Sequence, residues 1–291
     1  MKNLKIFLVL YFFSVSSLFS QEIKKETTSE ITKDTLAILP EKKKKLEIIL
    51  DLASRYIWRG QSWGGNYAVF QPTVNYDLTD KITAGIWATT NFKKDYFYPD
   101  GITQTKGYQE IDINISYKIN KFLTFQLWDY YWPTVQKING INNNFFDYGK
   151  NGVKTVDANL LFDFSELKFP LTLSLSTFVA GNDFRYDSNG ENPKQNFTTY
   201  LEAGYTFEDI CKKIDLKTII GAVFNNQAQY YSAGDYNKVS VVNMSVKASR
   251  SFELSKQISM PISLNFVHNA ATKNIETFGK NFLVVGISFD Y

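Results

Sequence analysis

Few residues in this chain of 291 have side chains suited to covalent chemistry, because it contains one His and one Cys. The segment Tyr186-Asp187-Ser188-Asn189-Gly190 offers Ser188 as a nucleophile, and a nucleophilic serine needs a general base within hydrogen-bond reach. The residue two positions before it is Tyr186, a poor base near neutral pH because its ordinary pKa is about 10. The single histidine, His268, lies far downstream. We therefore predict a polar turn in this segment and no enzymatic activity.

The same region contains oxygen ligands suitable for Ca2+ in Asp183, Asp187, Asn189 and Glu191, but their spacing departs from that of an EF-hand loop. One His and one Cys cannot form a tetrahedral zinc site or an internal disulfide. The formal net charge of +3 is too small for a nucleic-acid scaffold. We predict no bound metal, no cofactor and no nucleic-acid partner.

The first 45 residues have the composition of targeting and linker sequence. Lys2 and Lys5 precede an apolar run over 6–13 and a stretch of small residues ending at Ser20, the layout of a cleaved secretory signal peptide. Residues 21–45 are rich in Lys, Glu and Thr and lack aromatic residues, so they bury too little apolar surface to fold. We predict a signal peptide at 1–20, a disordered lysine-rich periplasmic leader at 21–45 and one folded domain at 46–291.

From residue 46 onward, apolar and polar residues alternate with a period of two, which is typical of β-strands whose two faces differ. The alternation is clearest over 110–119, where Glu110, Asp112 and Asn114 interleave with isoleucines. The segments have about the length that a tilted strand needs to cross a membrane. The twelve predicted strands are 46–58, 66–77, 82–92, 107–119, 122–135, 153–164, 171–181, 197–207, 214–224, 238–249, 256–268 and 280–291.

Three features favour a membrane barrel over a soluble sandwich, in which the apolar faces would point inward. The connections alternate between short turns and longer loops rich in Asn, Gly and Asp, as in outer-membrane barrels. The last strand is apolar-alternating and ends in Tyr291, which resembles the signal read by the outer-membrane insertion machinery. Aromatic residues also cluster at strand ends, as in interfacial girdles; they include Tyr56, Trp58, Tyr130, Trp132, Phe162, Phe164, Tyr205, Phe207 and Phe289.

We therefore predict an all-β fold: one antiparallel transmembrane β-barrel of about 12 strands, with short periplasmic turns and longer extracellular loops. If the apolar residues face lipid, charged residues of both signs face the lumen, with acids in the majority. Such a lumen is either water-filled with a weak preference for cations or closed by inward side chains and salt bridges. The predicted lumen residues are Glu47, Asp51, Arg55, Glu110, Asp112, Lys118, Asp157, Asp163, Glu202, Asp215, Lys217, Lys247 and Asp290.

The segment Ser54-Arg55-Tyr56-Ile57-Trp58-Arg59-Gly60, at the top of the first predicted strand, resembles the opening signature of the TorF family of porins. In that family a strand ending in Ser-x-Tyr, an aromatic residue and Arg-Gly leads into a short loop. The resemblance continues through Gln71-Pro72, Ala84-Gly85-Ile86-Trp87-Ala88, Glu110 with Asp112, and Tyr130-Tyr131-Trp132-Pro133. Beyond residue 150 it is one of architecture only. The resemblance implies an outer-membrane barrel of the porin type and carries over no catalytic residues.

The residues of this signature have plausible structural roles at the barrel rim. Gly60 supplies a permissive backbone for a turn, and Arg59 is suited to pairing with an acidic loop or a lipopolysaccharide phosphate. The same residues could simply cap the rim, and we leave both interpretations open. The predicted rim residues are Ser54, Tyr56, Trp58, Arg59 and Gly60.

Passive diffusion of small hydrophilic solutes or ions through the bacterial outer membrane is the function that this pattern favours. The alternative is a closed barrel that acts structurally or displays its loops to a ligand; a lipid hydrolase ranks third. Expected partners are outer-membrane lipid, lipopolysaccharide and the insertion machinery that reads the strand ending at Tyr291. A closed barrel predicts inward aromatic residues filling the lumen, namely Trp87, Trp128, Tyr130 and Trp132.

Overall fold

The computed structural model describes residues 45–91, 96–97, 104–105, 108–133, 140–232, 239–271 and 274–291. The predicted signal peptide at 1–20 and all but the last residue of the predicted leader at 21–45 lie outside these ranges.

Twelve strands within the described residues close into one antiparallel barrel. Each of these strands pairs with the next one along the chain, and the first pairs with the last to complete the ring. The predicted all-β barrel fold is confirmed. The barrel strands are β1 (Leu46–Ala53), β4 (Val69–Asp77), β5 (Ile82–Asn91), β8 (Gln109–Lys118), β9 (Leu123–Tyr131), β10 (Lys154–Asp163), β11 (Leu171–Gly181), β14 (Thr199–Cys211), β15 (Ile214–Val223), β16 (Ser240–Glu253), β17 (Ser259–His268) and β18 (Asn281–Asp290).

Six smaller strands form three hairpins inside the long loops: β2 (Tyr56–Trp58) with β3 (Gln61–Trp63), β6 (Tyr96–Phe97) with β7 (Gln104–Thr105), and β12 (Phe184–Arg185) with β13 (Lys194–Gln195). The loops also contain short helices at Gln229–Ser232 and Asn274–Phe278, and a 3-10 turn at Ser165–Leu167 lies at the opposite end. No helix in the described part of the chain is both long enough and apolar enough to cross a membrane.

The two faces of the barrel wall differ in polarity because the side chains of a strand alternate between them. On β8, Ile111, Ile113 and Ile115 point outward with exposed fractions of 45–47%, whereas Glu110 and Asp112 on the inner face are 7% and 3% exposed. The same division holds where Ile86 pairs with Ile113, because directly opposed residues share a face. The apolar surface of the barrel therefore faces out and its polar surface faces the lumen.

Several predicted strand boundaries differ from the observed ones. The first strand ends at Ala53 rather than at residue 58, because the chain leaves the wall after Ser54 and turns inward. β14 continues past residue 207 to Cys211 through a bulge, and β16 continues past residue 249 to Glu253. In both strands the extra residues lie at the short-turn end.

The described part of the third long loop, residues 140–153, folds over the outside of the wall. Lys154 pairs with Tyr131, and Tyr131 pairs with the exposed Ile111, so Lys154 lies on the outer face. Its Nζ forms a 2.5 Å ion pair with Asp129 and lies 3.4 Å from the centre of the Phe145 ring. Lys154 is completely buried on a face that is mostly apolar.

Candidate functional site

The first long loop, residues 54–68, sends a hairpin into the lumen. Its strands β2 and β3 pair with each other as Tyr56 with Trp63 and Trp58 with Gln61, as a sheet separate from the barrel. The two turn residues, Arg59 and Gly60, have φ values of 47° and 81°. A two-residue hairpin with positive φ at both positions matches the twist of its strands. The Arg-Gly pair therefore forms the turn, and it places the guanidinium of Arg59 at the tip.

The tip of the hairpin reaches the wall opposite its attachment point. In the strand order of the ring, β11 lies six places from β1, with β10 and β14 beside it. Arg59 donates to Oδ2 of Asp157 on β10 at 2.7 Å. Its guanidinium also lies 4.7 Å from the ring centre of Tyr200 on β14, within the range of a cation–π contact. The side chain of Asp157 is completely buried, so this is a desolvated ion pair that spans the lumen.

Aromatic rings fill the space around the hairpin. Trp58 stacks on Phe178 of β11 at 6.3 Å and on Tyr231 of the helix Gln229–Ser232 at 5.6 Å between ring centroids. Near the hairpin base, Tyr56 lies 5.4 Å from Trp87 on β5. The first loop and the helix of the fifth loop thus close the lumen together from one end.

Amide groups join the hairpin to the sixth loop. Asn274 Nδ2 donates to Oε1 of Gln61 at 3.2 Å and also to the backbone oxygen of Tyr231. Asn269 Nδ2 donates to the backbone oxygen of Gly60 at 3.4 Å. All of these side chains are at most 1% exposed. The hairpin tip is therefore held by polar groups as well as by packing.

Three buried polar atoms in and beside the hairpin lack a hydrogen-bond partner among the described residues: Gln61 Nε2, Trp63 Nε1 and Asp157 Oδ1. A buried polar group without a partner costs about 1–3 kcal/mol relative to its hydration by water. The inserted position is thus less stable than its contacts alone suggest.

The inserted hairpin leaves little room beside it. A void of about 20 Å³ remains among Tyr56, Trp58, Tyr130 and neighbouring rings, which is space for about one water molecule. Towards the short-turn end the lumen opens into a cavity of about 320 Å³, lined among others by Asp51, Arg55, Lys247 and Asn265. One end of the lumen is packed, and a cavity with charged, polar and apolar residues in its lining lies below the packing.

The structure places the predicted lumen residues as follows. Arg55 lies beyond the end of β1, where its guanidinium contacts the Phe282 ring at 5.1 Å and donates to Ser62 Oγ at 3.2 Å, bracing the hairpin base. The other predicted lumen residues lie in barrel strands on the inner face. These are Glu47, Asp51, Glu110, Asp112, Lys118, Asp157, Asp163, Glu202, Asp215, Lys217, Lys247 and Asp290.

The predicted rim residues lie partly at the end of the wall and partly in the inserted hairpin. Ser54 does lie at the end of the wall, where its backbone N–H donates to Val285 O at 2.9 Å. Tyr56, Trp58, Arg59 and Gly60 lie inside the barrel. Arg59 pairs with an acid of the opposite wall rather than with a loop or a lipid phosphate, because the Arg-Gly turn points it across the lumen.

The aromatic girdle prediction is wrong at Tyr130, which points inward and donates from its hydroxyl to Asp157 at 3.1 Å. Tyr231, Asn269 and Asn274, which belong to the fifth and sixth loops, were not predicted as functional residues. No local pattern marks them, although the Asn-rich composition of these loops could have indicated side chains that bind backbone groups.

The residues considered for catalysis do not meet. Ser188 lies in a turn that Asp187 organises through hydrogen bonds from the backbone of Asn189 and Glu191. Nδ1 of His268 pairs instead with Asn281 Oδ1 at 2.7 Å, and no hydrogen bond joins it to Ser188 within the described ranges. Nor do three or more His, Cys, Asp or Glu side chains of the described residues gather as metal ligands.

No family model and no curated protein matches the chain, so the resemblance to the TorF family stays a prediction. Among solved structures, the chain is similar to an outer membrane channel from Pseudomonas putida F1, with 10% identity, TM-score 0.43 and coverage of 90% of this chain and 99% of that one. It is also similar to the KdgM porin, with 8% identity, TM-score 0.40 and coverage of 84% and 98%. The translocator domain of the autotransporter NalP from Neisseria meningitidis gives 9% identity, TM-score 0.40 and coverage of 87% and 90%. These neighbours are outer-membrane barrels, and similarities this low carry no functional inference.

Proposed function

We propose that the protein is an outer-membrane channel of the porin type for small hydrophilic solutes or ions, and that the β2–β3 hairpin holds it closed in this conformation. The observation that carries the proposal is the cavity of about 320 Å³ that ends beneath the inserted hairpin and has charged residues such as Asp51 and Lys247 in its lining. A barrel with a purely structural role has no need for such a cavity.

The outer surface of the barrel supports a position in the membrane. Outward residues such as Ile86, Leu264 and Leu283 are 47–64% exposed, and an exposed apolar surface that surrounds a closed barrel is suited to lipid. The short turns then face the periplasm and the long loops face outward, as in outer-membrane barrels.

The attachment of the hairpin to the barrel allows it to leave the lumen. It forms its own two-stranded sheet, so leaving the lumen breaks side-chain contacts and leaves the barrel hydrogen-bond ladder intact. Its buried polar atoms without partners, including Gln61 Nε2, regain hydrogen bonds in water. Both features lower the free energy needed to open the lumen.

A closed barrel that displays its loops is the second candidate function. The observation that favours it is the packing of the outer half, where Tyr200, Tyr231 and Phe178 are at most 1% exposed. Packing this dense resembles a small hydrophobic core and is suited to a lumen that stays closed. The two candidates differ in whether the barrel conducts once the hairpin is absent.

The test is single-channel conductance of the purified protein in planar bilayers. In one variant, Gly-Gly replaces residues 56–63, a length that fits because Tyr56 and Trp63 are directly opposed. In another variant, Arg59→Ala leaves Asp157 buried without its cation. Such a loss costs about 3–5 kcal/mol in other proteins. We therefore expect the ratio of open to closed barrels to rise about a hundredfold or more. The matched control is Arg250→Ala, which removes an exposed cation from the outer face of β16.

We expect rare openings for the wild type and the control, frequent openings for Arg59→Ala and stable steps for the shortened hairpin. Folding is verified by the heat-dependent electrophoretic mobility of barrels. A correctly folded barrel that stays silent after hairpin removal would overturn the channel proposal and leave the closed barrel as the better explanation.

A further inference from the structure

The fourth and fifth long loops enclose an open groove of about 830 Å³ that is separate from the lumen cavity. Its walls are fixed by amide side chains that bind backbone groups of the other loop. Gln227 accepts from Tyr186 N at 2.7 Å and donates to Tyr186 O at 3.0 Å. Asn196 Nδ2 donates to Asn226 O at 3.0 Å. These hydrogen bonds preform the groove before any ligand enters.

Two cations face this groove from one small hairpin. Arg185 and Lys194 are directly opposed in the β12–β13 pair, and both side chains line the groove. Like charges in directly opposed positions destabilise a strand pair. Neither side chain has an ion-pair partner among the residues that the structure describes. No direct ion pair therefore offsets the repulsion between the two cations.

Asp187 also lines the groove, but no ion pair joins it to Arg185 or Lys194 within the described residues. Asp187 accepts hydrogen bonds from Asn192 Nδ2 at 2.7 Å and from Glu191 N at 2.8 Å. These bonds lower the pKa of the Asp187 carboxyl below its ordinary value, and the bond from the Asn192 side chain contributes most. The carboxylate oxygens are thus used to organise the turn over 187–192.

The groove begins where the apolar outer surface of the barrel ends. Phe224 follows β15 with the outward parity of Ile220, and the two are 45% and 50% exposed. Phe224 also lines the groove. A molecule that fills the groove can therefore place an apolar part along the outer face of β15 and a polar, anionic part beside Arg185 and Lys194.

We propose that this groove binds the phosphorylated sugar headgroup of an outer-leaflet lipid. Arg185 is suited to a bidentate contact with a phosphate, and Lys194 adds a second positive charge. The exposed amide of Asn226 is available to sugar hydroxyl groups, and Phe224 contacts the start of the acyl region. The site lies outside the lumen, so it does not depend on whether the barrel conducts. A soluble sugar phosphate shares the headgroup chemistry and is the other source of such a ligand.

Native mass spectrometry of the full-length protein in detergent tests the site, with titrations of three probes: lipid A carrying both phosphates, lipid A without phosphates, and glucose 1-phosphate. The variant is Arg185→Ala/Lys194→Ala. The matched control is Lys121→Ala/Lys256→Ala, which removes two exposed lysines from short turns at the other end of the barrel. Heat-dependent electrophoretic mobility verifies that each variant is folded.

We expect phosphorylated lipid A to bind the wild type and the control equally, and to bind the variant at least tenfold more weakly. Glucose 1-phosphate that binds as tightly as lipid A, and is lost in the variant, supports the anion site and assigns it to soluble sugar phosphates. Lipid A without phosphates binding as tightly as the phosphorylated form overturns the proposal, as does an equal loss of affinity in the control.

Discussion

Arg59 and Asp157, which are 98 positions apart in the chain, form a 2.7 Å ion pair across the interior of the barrel. Arg59 belongs to a loop hairpin and Asp157 to the barrel wall. Because the aspartate side chain is completely buried, each charge would be costly without the other. The ion pair therefore holds the hairpin in its inserted position.

A double-mutant cycle on Arg59 and Asp157 should show strong energetic coupling between the two side chains. We expect Arg59→Ala and Asp157→Ala each to lower the opening free energy of the hairpin by about 3 kcal/mol, because each leaves one buried charge unpaired. The double variant should lose clearly less than the sum. Hydrogen exchange of peptides covering 54–68 measures the opening directly. Additive losses would show that the two side chains stabilise the hairpin independently.

Gly60 allows the tip to approach the wall, and substituting it should unseat the hairpin. Its φ is 81°, and a Cβ there would lie 2.0 Å from the backbone oxygen of Val242. Gly140 is the matched control, because its φ is 84° and nothing lies within 4 Å of its Cβ position. We expect Gly140→Ala to cost only the backbone strain of about 1–2 kcal/mol.

Gly60→Ala should add the steric clash to that strain and increase both channel opening and hydrogen exchange in 54–68. If the two alanine variants have equal effects on hairpin exchange, the close approach to Val242 does not hold the hairpin in place.

The barrel could be predicted from the sequence because its causes are local. Alternation of polarity sets the face of each residue, and turn residues set the ends of strands. The inserted hairpin could not be predicted in the same way, since Tyr56 and Trp58 continue the spacing of a strand that ends in aromatic residues. The hairpin is held inward by distant partners. Trp58 stacks on Phe178, more than a hundred positions later, and Arg59 pairs with Asp157, nearly a hundred positions later. Contacts that distant leave no periodic trace near the hairpin.

The face of the wall on which each lumen residue lies could be predicted for the same local reason. The ion-pair partner of each charged residue could not. The rule that places Asp157 on the inner face says nothing about which cation it meets. The opposite case is Lys154, which lies on the outer face and is shielded there by Phe145 from a loop. Alternation alone gives no reason for a buried cation at that position.

The outer-face ion pair provides a separate test of stability. Lys154→Met should leave Asp129 beneath the loop with the Tyr148 hydroxyl, at 3.0 Å, as its remaining side-chain partner. We expect a loss of about 3 kcal/mol in the free energy of unfolding, measured by denaturant titration in detergent. Lys154→Met/Asp129→Leu should recover most of it, because both charges are then removed together.

The control for this test is Arg250→Met. Its guanidinium lies 4.9 Å from the Phe252 ring on the outer face, where it is exposed, and we expect a change within about 0.5 kcal/mol. A double variant that is as unstable as Lys154→Met would show that packing under the loop, rather than charge pairing, dominates.

The last prediction concerns ion selectivity in the open barrel. Lys217 and Lys247 are directly opposed on the inner face of β15 and β16, and Lys247 borders the 320 Å³ cavity. Two like charges at cross-strand distance repel each other and attract anions into the water beside them. In the barrel with the shortened hairpin, Lys217→Gln/Lys247→Gln should therefore move the reversal potential in a potassium chloride gradient towards that of potassium. Lys121→Gln/Lys256→Gln, which removes turn lysines, should shift it less, because screening weakens charges beyond about 10 Å at 0.1 M salt. An unchanged reversal potential in the first variant would place the path of permeating ions away from this wall.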